Sequence, residues 1–126
     1  VLETGKISRH DIALYAAGSG DLNPIHVDSD FAQKKASLPD VIVHGMYSMG
    51  CLGRIVSGLG GPSAVKSIDA RFESMLSVNE SLICKGEVVK IDRLPDGVEV
   101  EVNLLAVKPD GVTVSSGSSV LFFKNQ

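Results

Sequence analysis

A chain of 126 residues that is 44% hydrophobic and 21% charged can bury a core without disulfide or metal staples. Its formal net charge of −3, with no basic run, argues against nucleic acid as a partner. Cys51 and Cys84 stand singly in apolar stretches and read as buried thiols of a reducing compartment, not as a disulfide or zinc set.

No signal-peptide pattern is visible. The longest apolar segment, near Met46 to Val56, is too short and too rich in Gly and Ser to span a membrane. The expectation is one domain over residues 1–126, in the cytoplasm or, as the alternative, the mitochondrion. The chain starts at Val1 rather than at methionine, as if a segment upstream had been removed.

Ser8-Arg9-His10-Asp11 has the form of a helix start, with Ser8 as N-cap and Asp11 favoured by the positive end of the helix. Ile12, Tyr15 and Ala16 then share one face, and Gly18 and Gly20 end the helix. His10, in the first turn, reads as an ordinary surface residue. Asp21 to His26 follows as a loop, stiffened because Pro24 fixes its own φ and drives Asn23 towards an extended conformation. Asp28 or Ser29 can cap a short helix through Lys35, which Leu38-Pro39-Asp40 breaks. From Gly45 to Leu59, Met46, Met49, Leu52, Ile55, Val56 and Leu59 recur at helical spacing. Tyr47 and Cys51 make the opposite side apolar as well, and Arg54 is the one charge, so a buried helix is predicted with its methionines in the core.

The remainder reads as strand. Ile68, Ala70 and Phe72 alternate with Asp69, Arg71 and Glu73. Leu82 to Ile91 is a second run, Val98 to Ala106 a third and Val112 to Phe123 the last. Leu94-Pro95-Asp96-Gly97 and Lys108-Pro109-Asp110-Gly111 place Pro, Asp and Gly as tight turns require, so the last three strands form an antiparallel meander. The predicted class is α+β: an antiparallel sheet curved round one long helix.

The chemistry gathers between Ser19 and Met46. Asp21 and His26 lie five positions apart across Asn23-Pro24, and His44-Gly45 opens the long helix eighteen residues later. A carboxylate and an imidazole on a stiffened loop can act as an acid/base pair. Gly45 offers a backbone N–H at a helix start, where negative charge is stabilised. The blander reading is that Asp21 caps a turn, His26 is a satisfied structural histidine and Gly45 serves close packing. A metal site from His26, Asp28 and His44 is conceivable by residue type, but no spacing requires it, and no metal or cofactor is expected. Arg71 reads as a solvated strand charge, with the phosphate of a carrier as the alternative contact.

The strings YAAGSGDLNPIHVDSDFA and LPDVIVHGMYSMG resemble the hydratase 2 motif of MaoC-like dehydratases, the R-specific enoyl-thioester hydratases of hot-dog fold. The resemblance runs from about Ile7 through the long helix and more loosely to the C-terminus. It implies that Asp21 and His26 are the catalytic pair, that Asn23 positions them or the water, and that the Gly45 N–H binds the thioester carbonyl. His44, from its place before the helix, reads as a support that orients the loop by hydrogen bonding, with direct proton transfer as the alternative. The substrate it implies is an acyl thioester of CoA or of acyl carrier protein, handled by a homodimer without nucleic acid or membrane. Ser37 and Asp40 stand in a stretch where many members carry glycine, a serine of some relatives is replaced by Gly53, and the usual N-terminal strand looks short or partly missing. The alternative reading is a non-catalytic acyl-thioester-binding subunit of a hot-dog heterodimer. A hot-dog thioesterase comes third.

Overall fold

The computed structural model describes residues 1–126. In chain order it contains β1 (Leu2–Lys6), α1 (Arg9–Ser19), α2 (Pro24–Val27), α3 (Ser29–Lys34), α4 (Gly45–Gly60), β2 (Val65–Phe72), β3 (Ser81–Leu94), β4 (Gly97–Val107) and β5 (Thr113–Lys124). The strands form one antiparallel sheet in the order β1-β3-β4-β5-β2. α4 lies across its concave face, the hot-dog arrangement that the sequence leads one to expect.

The local signals act as their chemistry requires. Ser8 and Asp11 form a reciprocal capping box on α1, and Gly20 closes the helix in the left-handed region at φ 79°. Two residues, Pro95 and Asp96, turn β3 into β4, where Leu94 pairs with Gly97. The inward residues of β4, Val102, Leu104 and Ala106, are buried with Leu82 and Cys84 of β3 against Cys51, Leu52 and Val56 of α4. Fully burying side chains of the Leu52 or Val56 kind contributes about 1.5–3 kcal/mol each, enough to hold a helix that contains five glycines. Cys51 and Cys84 are both free and buried, and their thiols meet across the helix–sheet interface. The hydrogen bond with Cys51, and then burial, push the Cys84 thiol up, so it stays protonated.

Four expectations need correction. First, α4 is not enclosed all round: Met46 is 54% exposed and Gly50 and Arg54 also face outward. The sheet contacts one side of the helix, and the mixed small and apolar residues opposite blur the periodicity. Second, Phe72, on the apolar side of the alternation with Asp69, Arg71 and Glu73, is half-exposed, because β2 ends there at the sheet margin. Third, residues 24–27 are not loop. Asn23 caps a single helical turn through its side-chain oxygen, with Pro24 as the first helical residue, a position that needs no N–H. Fourth, the N-terminal strand is present. β1 pairs with β3 through Leu2↔Cys84 and Glu3↔Ile83, but its irregularity at Gly5, φ 65°, hides the strand period in the sequence.

The segment between α3 and α4 carries a small strain. Ser37 sits at φ 56°, a conformation glycine takes freely and a residue with a Cβ does not. Ser37→Gly is therefore expected to raise stability by about 0.5–1 kcal/mol in urea denaturation. No gain in midpoint would mean that the serine is not strained there.

Candidate active site

The site is assembled from α2, the strand-like segment 41–43, the start of α4 and the turn after β2. The helical turn of α2 points His26 inward, so that it is only 8% exposed. Its Nδ1 lies 2.8 Å from the carbonyl oxygen of Ile42. A carbonyl can only accept, so Nδ1 carries the proton in the neutral ring and Nε2 presents a lone pair. That Nε2 is 3.9 Å from Oδ2 of Asp21, whose side chain is 55% exposed. The other carboxylate oxygen, Oδ1, accepts the backbone N–H of Asn23 at 3.3 Å. Two acceptors thus face each other at a spacing too long for a direct hydrogen bond and suited to a shared donor such as water.

His44 is buried and stacks on His26, with ring centroids 3.7 Å apart and planes 19° apart. Its Nε2 lies 3.0 Å from the backbone oxygen of Asp21 and donates to it, while Nδ1 is buried without a protein partner. Tyr15 packs against the far side of His44 at 4.8 Å, and Tyr47 meets Tyr15 edge-on at 5.4 Å. One imidazole therefore steadies both its neighbours: the ring of His26 by stacking and the backbone of Asp21 by hydrogen bonding.

α4 begins directly after this stack. Its N-cap, His44, makes no side-chain cap bond and its first turn holds no acidic residue, so the positive end of a 16-residue helix is left uncompensated. A cavity of about 500 Å³ opens beside it, lined on one wall by His26, His44 and Gly45 and on the other by Phe72, Met75 and Leu76. Ser48 and Val114 lie in its lining as well. Ser48 donates to the Gly45 carbonyl at 2.7 Å and accepts from Ser115 of β5 at 3.1 Å, which ties the first turn of α4 to the sheet.

The structure thus brings Asp21, His26, His44 and Gly45 to one place. Asn23 lies at the surface outside the cavity, and its side-chain oxygen contacts the Ile25 N–H. Asp28 caps α3 and is not near the histidines as a ligand would be. The three groups close enough to share an ion are Asp21, His26 and His44, with one ligand atom of each within 4.8 Å of the others. One nitrogen of each histidine is already committed to a backbone carbonyl. Arg71 is exposed on β2 and does not line the cavity. Sequence reasoning passed over the Ile42 carbonyl, Tyr15 and Phe72. The first is a backbone group with no side-chain signature, and the other two look like ordinary face residues.

The chain is similar to known proteins. At 42% identity over 78 residues, 60% of this chain and 27% of the relative, it is similar to 3-hydroxyacyl-thioester dehydratase Y of Mycobacterium tuberculosis. At 34% identity over 105 residues, 82% of this chain and 62% of the relative, it is similar to the (R)-specific enoyl-CoA hydratase of Rhodospirillum rubrum. The chain spans only 27%, 4% and 22% of three of the curated relatives it matches, so it corresponds to a part of those proteins. Among solved structures, an (R)-hydratase from A. caviae superposes with a TM-score of 0.83 at 23% identity, covering 95% of this chain and 89% of that one, which bears on the fold. A MaoC-like dehydratase superposes at 0.85 and 29% identity, covering 98% of this chain and 38% of that one. Residues 3–108, which hold the stacked histidines, Asp21 and the start of α4, match the family described as MaoC like domain, and the chain belongs to that family.

Proposed function

We propose that this protein adds water reversibly across the double bond of a trans-2-enoyl thioester to give an (R)-3-hydroxyacyl thioester. CoA is the first carrier to test and acyl carrier protein the second. The observation that carries the reading is the pair of acceptors, His26 Nε2 and Asp21 Oδ2, 3.9 Å apart beside a cavity walled by an uncompensated helix N-terminus. Relatives named enoyl-CoA hydratase and thioester dehydratase support the same chemistry.

In this reading a water sits between Asp21 and His26 and donates a hydrogen bond to each. One of them takes a proton as the water oxygen bonds to C3 of the substrate. The π electrons move towards the thioester, whose oxygen gains negative charge and accepts a hydrogen bond from the Gly45 N–H. A proton delivered to C2 from the same pair completes the addition, and dehydration is the reverse path. Asn23 contributes by fixing the turn that carries His26. The apolar wall of Phe72, Met75 and Leu76 receives the acyl chain.

The test is direct. Purified protein mixed with crotonyl-CoA should remove the conjugated enoyl absorbance, and the product should be the R enantiomer by chiral analysis. If the absorbance persists with both CoA and carrier-protein substrates, the catalytic reading fails and the chain is a thioester-binding subunit of a heterodimer. ChsH1-ChsH2 and HadBC, two M. tuberculosis complexes, have a similar fold.

The active form we propose is a homodimer. β1 and β2 end the sheet with unpaired edges, and Met46, Phe72 and Met75 leave apolar surface round the cavity mouth. Sedimentation at micromolar concentration should give twice the 13.3 kDa chain mass. A stable monomer that still turns over substrate would refute the proposal.

A further inference from the structure

The contacts of the segment Val41–Gly45 converge on the site. Ile42 receives the Nδ1–H of His26 on its carbonyl and donates its own N–H to Ile25, so it grips α2 from both sides. On the opposite edge, Val43 donates to Leu76, Val78 donates to Val41, and Ile42 pairs with Ser77. The segment then ends in His44 and Gly45. Any slip along it would move the His26 partner, the stacked ring and the start of α4 together.

The head of this segment is held by charge. Both guanidinium nitrogens of Arg9 reach the two carboxylate oxygens of Asp40, with Nη1 at 2.9 Å from Oδ1. Ser29 donates to the same Oδ1 at 2.9 Å and accepts from Arg9 Nη1 at 2.8 Å. Oδ1 also accepts the Val41 N–H at 2.7 Å. Arg9 begins α1 and Ser29 begins α3, so one carboxylate joins two helix starts to the segment that leads into the site. A cation in the first turn of a helix opposes the helix dipole, which an ion pair with Asp40 offsets. Arg9, with Val41 and Ser29, holds the Asp40 carboxyl well below the usual carboxylate range, so the clamp stays charged in all but strong acid.

We propose that Arg9, Asp40 and Ser29 are positioning residues for the hydration reaction: their clamp sets the place of the Ile42 carbonyl and so keeps His26 in the Nδ1–H form, with Nε2 free to face Asp21. None of the three clamp residues lines the cavity. Its catalytic consequence rests on the hydratase reading above, but its effect on His26 does not.

The experiment uses Arg9→Met, Asp40→Asn and Arg9→Lys in the full chain. For each, the ring ¹⁵N shifts of His26 are read without substrate, and kcat and KM are measured with crotonyl-CoA. Arg9→Met and Asp40→Asn are expected to convert a single Nδ1–H tautomer into a mixture and to lower kcat about 10-fold with KM within about twofold, as small misplacements of reacting groups do. Arg9→Lys should fall between them and the wild type, because it keeps the charge and loses the fork. The double variant should cost no more than the worse single. Lys108→Met, which breaks the separate Lys108–Glu80 pair, should leave both readouts unchanged. If the tautomer is unaffected in folded Arg9→Met and Asp40→Asn, the proposal is overturned whatever kcat does. If the wild type itself is inactive, the hydratase reading fails, while the spectrum still decides the clamp.

Discussion

Asp21→Asn is expected to lower turnover of an enoyl-CoA about 10²–10⁴-fold with the fold intact, since general acid/base help is of that size. The side chain is more than half exposed and Asn can still accept the Asn23 N–H, so no core contact is lost. His26 calls for more care. In the sequence it reads as a loop side chain, but the ring is buried and bonded to the Ile42 carbonyl. His26→Ala would leave that oxygen unpaired and cost about 1–3 kcal/mol of stability beside any loss of rate. His26→Asn retains a donor near the former Nδ1 and lacks Nε2. It should match Asp21→Asn in lost rate at nearly native stability. In the proposed mechanism both groups act on one water, so the double variant Asp21→Asn/His26→Asn should lose far less than the product of the two factors. Near-native turnover in either single variant would remove that residue from the mechanism.

Gly45→Val should lower turnover by about 10²-fold although the backbone N–H remains, comparable to losing one oxyanion donor. A Cβ at position 45 would lie 3.0 Å from the Cδ2 and Cε2 atoms of the Phe72 ring. Phe72 is half-exposed and can yield, but both it and the new side chain line the cavity proposed to receive the thioester. The variant should therefore fold, and the loss should appear in kcat as the carbonyl is held away from the helix. Gly45→Ala should show a smaller loss, and Gly45→Ala with Phe72→Leu should recover part of it. A ligand-bound structure decides the matter: a thioester oxygen out of hydrogen-bonding reach of the Gly45 nitrogen, with the double bond still over Asp21 and His26, would make α4 a packing element only.

Much of the fold is legible because its signals are local. The capping box at Ser8 and Asp11, the two Pro-Asp-Gly turns and the alternation along Val98–Ala106 each depend on residues within a few positions, and each element forms where they indicate. β1 escapes because a five-residue edge strand interrupted by a left-handed glycine has no period to read, and its stability comes from pairing with β3 some eighty residues away. α2 escapes because four residues are too few for periodicity. Its existence rests on the Asn23 cap and on the Ile25–Ile42 and His26–Ile42 bonds.

The sequence by itself determines which groups are available: a carboxylate and an imidazole across Asn23-Pro24, a His-Gly at the start of a long apolar helix, and a chain that closes as an antiparallel meander. Side-chain type and short spacing suffice for those. Tertiary structure alone decides their states and relations. The proton on His26 Nδ1, the stacking of His44, the unneutralised start of α4 beside a cavity and the Arg9–Asp40 clamp all depend on contacts between distant segments. Several of the partners are backbone carbonyls and N–H groups, which every residue carries and no sequence pattern distinguishes. Whether such a group becomes a positioning contact is settled only by what folding brings within hydrogen-bonding distance of it.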